Sequence, residues 1–124
     1  MPSLGSWITI GHPAVAEIMA AAGFDWLTVD LEHSAISIER AEEIIRIIEL
    51  SGVKPFVRLS SHNPEQIKRV MDSGAHGIIV PMVKTAEEVT QAIAAVHYPP
   101  LGNRSVGLAR AQKYGNAFEA YYNW

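Results

Sequence analysis

Apolar positions along this chain alternate between two periods. Short β-type runs give way to stretches whose apolar residues recur every three or four positions. Residues 6–10 (Ser-Trp-Ile-Thr-Ile) predict a first strand. A helix follows, opened by Pro13, with Val15, Ile18, Met19 and Ala22 as its expected buried face and Gly23 as its stop. Residues 26–31 predict a second strand. The second helix is expected over 38–51, with Ser37 as N-cap and Gly52 as terminator. Ala41, Ile44, Ile45 and Ile48 make its inner stripe, and Glu42, Glu43, Arg46 and Glu49 its wet side. Residues 55–59 predict a third strand. Asn63-Pro64-Glu65-Gln66 starts a third helix that buries Ile67, Val70 and Met71 and ends at Gly74. A fourth strand is expected over 77–82. Thr85-Ala86-Glu87-Glu88 reads as a capping box for a fourth helix with Val89, Ile93 and Val96 on its face. Residues 97–115 are loop-like, and 117–124 predict a short helix rich in aromatics.

Four βα units in succession imply a parallel sheet. A repeat of roughly 20–30 residues suits a (β/α)8 barrel or a doubly wound sheet. No G-x-G-x-x-G or G-x-x-x-x-G-K-[ST] follows any strand, so nucleotide binding has no support. The units read as barrel-type. A whole barrel takes about 250 residues. The chain has 124, and the expectation is the N-terminal half of a TIM barrel: one partial domain, 1–124, running from the first strand through the fourth helix to a loop and short helix.

Composition narrows the function classes. Hydrophobic residues make up 48% and charged residues 19%, which excludes disorder as the main state. A net charge of −3 gives no footprint for nucleic acid or an anionic membrane. With no cysteine, disulfides, thiolate metal sites and thiol nucleophiles are out. No apolar run approaches a membrane span, and residues 1–5 lack the features of a signal peptide. The expected location is the cytoplasm.

In βα folds the chemistry lies where strands run out into helices. That rule selects His12; Asp30, Glu32, His33 and Ser34; Arg58, Ser60, Ser61 and His62; and Pro81, Met82 and Lys84. Asp30-Leu31-Glu32-His33 is the sharpest cluster. Carboxylates beside a histidine raise its basicity and fix its tautomer, which suits a general base; the alternative is that they cap the next helix or pair with rim cations. Arg58 ends an apolar strand, where its planar fork suits a substrate carboxylate or, equally, an ion pair with Asp30 or Glu32. Trp7, in the first strand, stands with Arg58 as a substrate-binding candidate. His76 and His97 take structural readings, and no complete metal site is visible.

The stretch Gly23-Phe24-Asp25-Trp26-Leu27-Thr28-Val29-Asp30-Leu31-Glu32-His33 resembles the signature of the HpcH/HpaI aldolase (aldolase/citrate lyase) family. So do Pro55-Phe56-Val57-Arg58, then residues 66–75, 79–83 and 98–107, in the same order. The resemblance implies a metal-dependent class II aldolase on a (β/α)8 barrel. Such an enzyme cleaves 2-keto-3-deoxy or 4-hydroxy-2-oxo acids to pyruvate and an aldehyde. It makes His33 the general acid/base. Arg58 becomes the group that binds the pyruvyl carboxylate and keto oxygen and steadies the enolate. Asp72 becomes the aspartate that raises the histidine's basicity, and Asp30 a rim aspartate close to it. Leu31 stands where close relatives often have glycine. The divalent metal (Mg, Mn or Co) is expected on ligands beyond residue 124, so the isolated chain is expected to be inactive; no lysine inside a strand offers Schiff-base chemistry instead. The expected partners are a 2-keto acid, pyruvate and further copies of the chain in a homo-oligomer. A second reading is a non-catalytic half-barrel that assembles with a partner half. A third, the acyl-CoA branch of the family, would want a basic coenzyme A site that is not visible here.

Overall fold

Among the described residues, hydrogen-bonded strands pair only with their sequence neighbours. In the computed structural model, which describes residues 1–123, the elements are β1 (Gly5–Ile8), α1 (Pro13–Ala20), β2 (Trp26–Asp30), α2 (Ile38–Leu50), β3 (Lys54–Arg58), α3 (Pro64–Asp72), β4 (Gly77–Ile79), α4 (Ala86–Val96), a 3₁₀ segment (Arg110–Gly115) and α5 (Phe118–Tyr122). The sheet is parallel, in the order β1-β2-β3-β4. The expected α/β architecture of four barrel-type βα units is therefore found. Trp124, at the end of the expected last helix, lies outside the described residues. Among the described residues no helix is long and apolar enough to cross a membrane.

The pleat gives the sheet two different faces. Ile8, Leu27, Val29 and Val57 are fully buried against the helices, in one cluster with Ala41, Ile44, Ile45, Ile48, Ile67, Val70 and Met71. The stripes expected for α2 and α3 are the observed ones. Trp7, Thr28, Phe56 and Gly77 form one row across the opposite, concave face, with Asp30, Arg58 and Ile79 in the row above. Glycine is needed beside the rings there. A Cβ on Gly77 would come within 2.9 Å of the Phe56 ring, and one on Gly5 would overlap Trp26.

Three expectations fail. β1 and β4 stop earlier than expected, and β4 has only three residues. In α1 the buried residues are Ala16 and Ala20, with the expected Met19 partly buried against the core, whereas Ile18 is 70% exposed and Ala22 lies beyond the helix. Two short turns of helix approach α2 closely through alanines, and the bulkier Ile18 is turned outward. In α4 only Ala95 is buried, while Val89 and Ile93 are exposed. They join Ile78, Val80, Val83, Ala92 and Val96 around an open groove of about 190 Å³. This is the side on which the next βα unit of a barrel packs.

The start of α4 is as expected. Thr85 Oγ1 accepts the Glu88 N–H at 3.2 Å, and Glu88 Oε2 accepts the Thr85 and Lys84 N–H groups at 3.1 and 2.7 Å. These bonds, the Lys84 one foremost, hold the Glu88 carboxyl below its ordinary range. Thr85→Ala removes a side-chain acceptor for an otherwise unpaired helix N–H. It should lower unfolding free energy by about 1 kcal/mol, read as a fall in the urea midpoint at unchanged slope.

Beyond α4 the loop-like stretch is more ordered than its sequence suggests. Gln112 is fully buried. Its Oε1 accepts from the Ala109 N–H at 2.8 Å, and its Nε2 donates to the Gly107 carbonyl at 3.0 Å and to the Tyr98 hydroxyl. Lys113, Tyr114 and Gly115 follow in the left-handed region, with φ of 51°, 57° and 100°.

Candidate active site

Parallel register places the two best candidates side by side. Asp30 and Arg58 are paired positions at the C-terminal ends of β2 and β3, on the concave face. Arg58 Nε donates to Asp30 Oδ1 at 2.9 Å and Nη2 donates to Oδ2 at 2.6 Å, a two-pronged ion pair. The Asp30 side chain is 1% exposed and that of Arg58 24%. The Glu32 and His33 backbone N–H groups also donate to Asp30 Oδ1, at 2.9 and 3.2 Å, and fold the chain over the strand end. The Arg58 hydrogen bond above all overcomes burial and holds the Asp30 carboxyl down at about 2. Of the two uses open to Arg58 in the sequence, the ion pair is the one formed. The guanidinium also lies 4.6 Å from the centre of the Trp7 ring, a cation–π contact that fixes its remaining face. Arg58 Nε is 3.3 Å from Glu32 Oε2 as well.

His33 projects from this knot into solvent, its side chain 71% exposed. Its ring neighbour is Glu32, with Nε2 3.7 Å from Oε2, while Asp30 meets only its backbone N–H. Of the two carboxylates the sequence offered to the imidazole, Glu32 is the one beside the ring. Ser34 donates its hydroxyl to the Asp30 carbonyl and helps close the turn. Leu31 takes no part in the mouth: it is buried in the helix-side core, and its N–H extends the ladder to the Arg58 carbonyl at 2.9 Å.

The other candidates separate. His12 caps α1, its Nδ1 accepting the Ala14 N–H at 3.1 Å. His62 joins the exits of β3 and β4 through the Pro81 carbonyl, with Glu88 3.8 Å from its Nδ1. Asp72 closes α3, at the opposite end of the βα unit from the rim, and its charged partner is Arg104. His76 lies 3.5 Å from Glu49 beside a hollow of about 340 Å³ lined also by Gly74, Lys113 and Tyr121. That hollow contains none of the rim residues, and the rim has the convergent ionisable groups that chemistry needs.

The donors at the rim do not suit a divalent ion. Both Asp30 oxygens are occupied by Arg58, and Glu32 is shared between Arg58 and His33. No group of three His, Asp or Glu side chains among the described residues is arranged to hold a metal.

The sequence pattern of the HpcH/HpaI aldolase/citrate lyase family matches residues 3–118. The chain belongs to that family. It is 39% identical over 113 residues to a 2-dehydro-3,6-dideoxy-6-sulfogluconate aldolase of Pseudomonas putida, a match covering 90% of this chain and 44% of the relative. It is 40% identical over 115 residues to a 4-hydroxy-2-oxo-heptane-1,7-dioate aldolase of Salmonella dublin, covering 91% and 44%. Among solved structures, an HpcH/HpaI aldolase/citrate lyase family protein from Burkholderia cenocepacia superposes with a TM-score of 0.88 at 29% identity, covering 98% of this chain and 50% of that one. The chain therefore spans less than half the length of the curated relatives it matches, and its sheet is the half-barrel of this HpcH/HpaI fold.

Proposed function

We propose that the whole protein is a class II aldolase that cleaves a 2-keto-3-deoxy or 4-hydroxy-2-oxo acid to pyruvate and an aldehyde, with residues 1–124 as one partial barrel domain supplying part of its active site. The observation that carries this reading is the Asp30–Arg58 pair under Trp7 with His33 beside it, on the concave rim of a family member's sheet. Asp30 pins two prongs of Arg58 and leaves Nη1 for the carboxylate or keto oxygen of a 2-keto acid. His33, solvent-facing and next to Glu32, takes the proton of the substrate's C4 hydroxyl. The C3–C4 bond then breaks, the aldehyde departs, and the electron pair passes to the C2 oxygen as pyruvate enolate beside the Arg58 cation. A proton returned to C3 completes pyruvate. A divalent metal is expected for the family; the residues described here do not build its site, and these steps are assigned only to side chains of this chain. In this reading Asp72 reaches a histidine only across a subunit boundary, which calls for a homo-oligomer.

The open groove beside α4 favours a second reading, a half-barrel whose role is assembly. One assay separates the two. The protein carrying the later strands is given 2-keto-3-deoxy and 4-hydroxy-2-oxo acids with Mg²⁺, Mn²⁺ or Co²⁺, and pyruvate is followed by a coupled dehydrogenase. Pyruvate release is the expected result. An assembled protein that releases none from any of them leaves the assembly role standing and removes the aldolase.

A further inference from the structure

Arg104 is the most deeply buried cation of the described chain, 4% exposed. It comes from the irregular segment after α4, anchored there by its backbone N–H on the His97 carbonyl at 3.0 Å. Its guanidinium lies 4.2 Å from the centre of the Tyr98 ring and 5.4 Å from that of Tyr121, and its Nη2 donates to the Tyr121 hydroxyl at 2.9 Å. The other donors, Nε and Nη1, are buried with no hydrogen-bond partner, and so is Asp72 Oδ1. Nη1 and Oδ1 are 3.9 Å apart. A buried guanidinium with open donors is costly unless a charge answers it, and the charge within reach is Asp72.

We propose that Arg104 is a positioning residue: a guanidinium packed against the Tyr98 and Tyr121 rings that keeps the Asp72 carboxylate charged and aimed. Three elements meet at this carboxylate. Lys68 lies one turn earlier on α3, Arg104 comes from the segment after α4, and the Tyr121 phenol from α5. Arg110, anchored on Glu49 and the Ser73 carbonyl, closes the same end of α3. Burial pushes the Asp72 carboxyl up, and Arg104, followed by Lys68, opposes it. Lys68 makes a longer-range charge contribution, whereas the Arg104 fork is held by the Tyr98 ring and the Tyr121 hydroxyl, so orientation falls to Arg104. Lysine could supply the charge but not the planar fork.

The catalytic consequence rests on the aldolase reading, in which Asp72 supports the general base; the pairing itself does not. The test therefore begins without substrate. The Asp72 side-chain carboxyl is titrated by ¹³C NMR in the parent and in Arg104→Gln. Its midpoint should rise by about one pH unit or more in the variant, and Arg104→Lys should recover part of the shift. An Asp72 that titrates alike in parent and Arg104→Gln overturns the proposal. Should Arg104→Gln fail to fold, a cycle of Arg104→Lys with Asp72→Asn takes its place. Coupling between the two positions should be present at pH 8 and lost at pH 3, and no coupling at pH 8 overturns the proposal. In the active assembly the acid limb of the pH–rate profile should move with the Asp72 midpoint. A rate profile that stays put while the titration moves upholds the pairing and removes the role of Asp72 in the aldolase reading.

Discussion

Arg58→Met should lower the unfolding free energy at pH 7 by about 3 kcal/mol, because it strands a carboxylate that is 1% exposed. The estimate takes the low end of the range for a broken buried pair, since the Glu32 and His33 N–H groups still serve Asp30 Oδ1. The dependence on pH identifies the cause. In the parent, Asp30 titrates at about 2 against an ordinary 3.8, so its pairing contributes fully above 3.8 and is lost as pH falls through 2. In Arg58→Met, burial acts with no cation to oppose it and the carboxyl shifts up. The variant is then most deficient near neutrality and recovers as acid protonates Asp30. Urea midpoints measured from pH 7 to pH 2 should converge at the acid end. The double variant Asp30→Asn with Arg58→Met should be more stable at pH 7 than Arg58→Met alone. Equal midpoints for parent and Arg58→Met at pH 7 would show that the pair contributes nothing.

His33→Asn should separate chemistry from folding. Its side chain is 71% exposed, its ring approaches Glu32 at 3.7 Å, and its backbone bond to Asp30 survives the substitution. Stability should therefore change by no more than about 0.5 kcal/mol. Removing a general base typically costs 10²- to 10⁴-fold, so pyruvate release by the assembled enzyme should fall by about that factor, mainly in kcat. Binding of pyruvate, assigned to Arg58, should be nearly unchanged. Retention of full activity by His33→Asn would remove the histidine from the reaction.

Sequence periodicity identified α2 and α3 down to their buried residues because both are amphipathic and covered on one side only. In α1 it found Met19 but missed Ala16 and Ala20, whose buried side chains carry almost no hydrophobic signal. It failed differently for α4, whose apolar residues are real but face a groove that nothing in these residues covers. At the rim, strand ends were enough to select Asp30, Glu32, His33 and Arg58. Their pairing was not readable, because it depends on a register between positions 28 residues apart and on a turn that gives Asp30 to the backbone and Glu32 to the ring. Arg104 lies in the stretch 98–107 that resembles the family, but nothing in the pattern gave it a role. It sits among glycines and prolines with no period, and its burial comes from Tyr98, earlier in the same segment, and from Tyr121, 17 residues later.

The order of the strands has a kinetic consequence. Every sheet pairing joins positions 21 to 28 residues apart, and none waits for a distant segment. Loop-closure entropy is therefore small at each step, and such local topologies fold fast. On a ribosome, β2 has its template as soon as it emerges, then β3, then β4. The three-residue β4 and its groove are the growing end of that series, where the nascent sheet stays adhesive until another strand arrives.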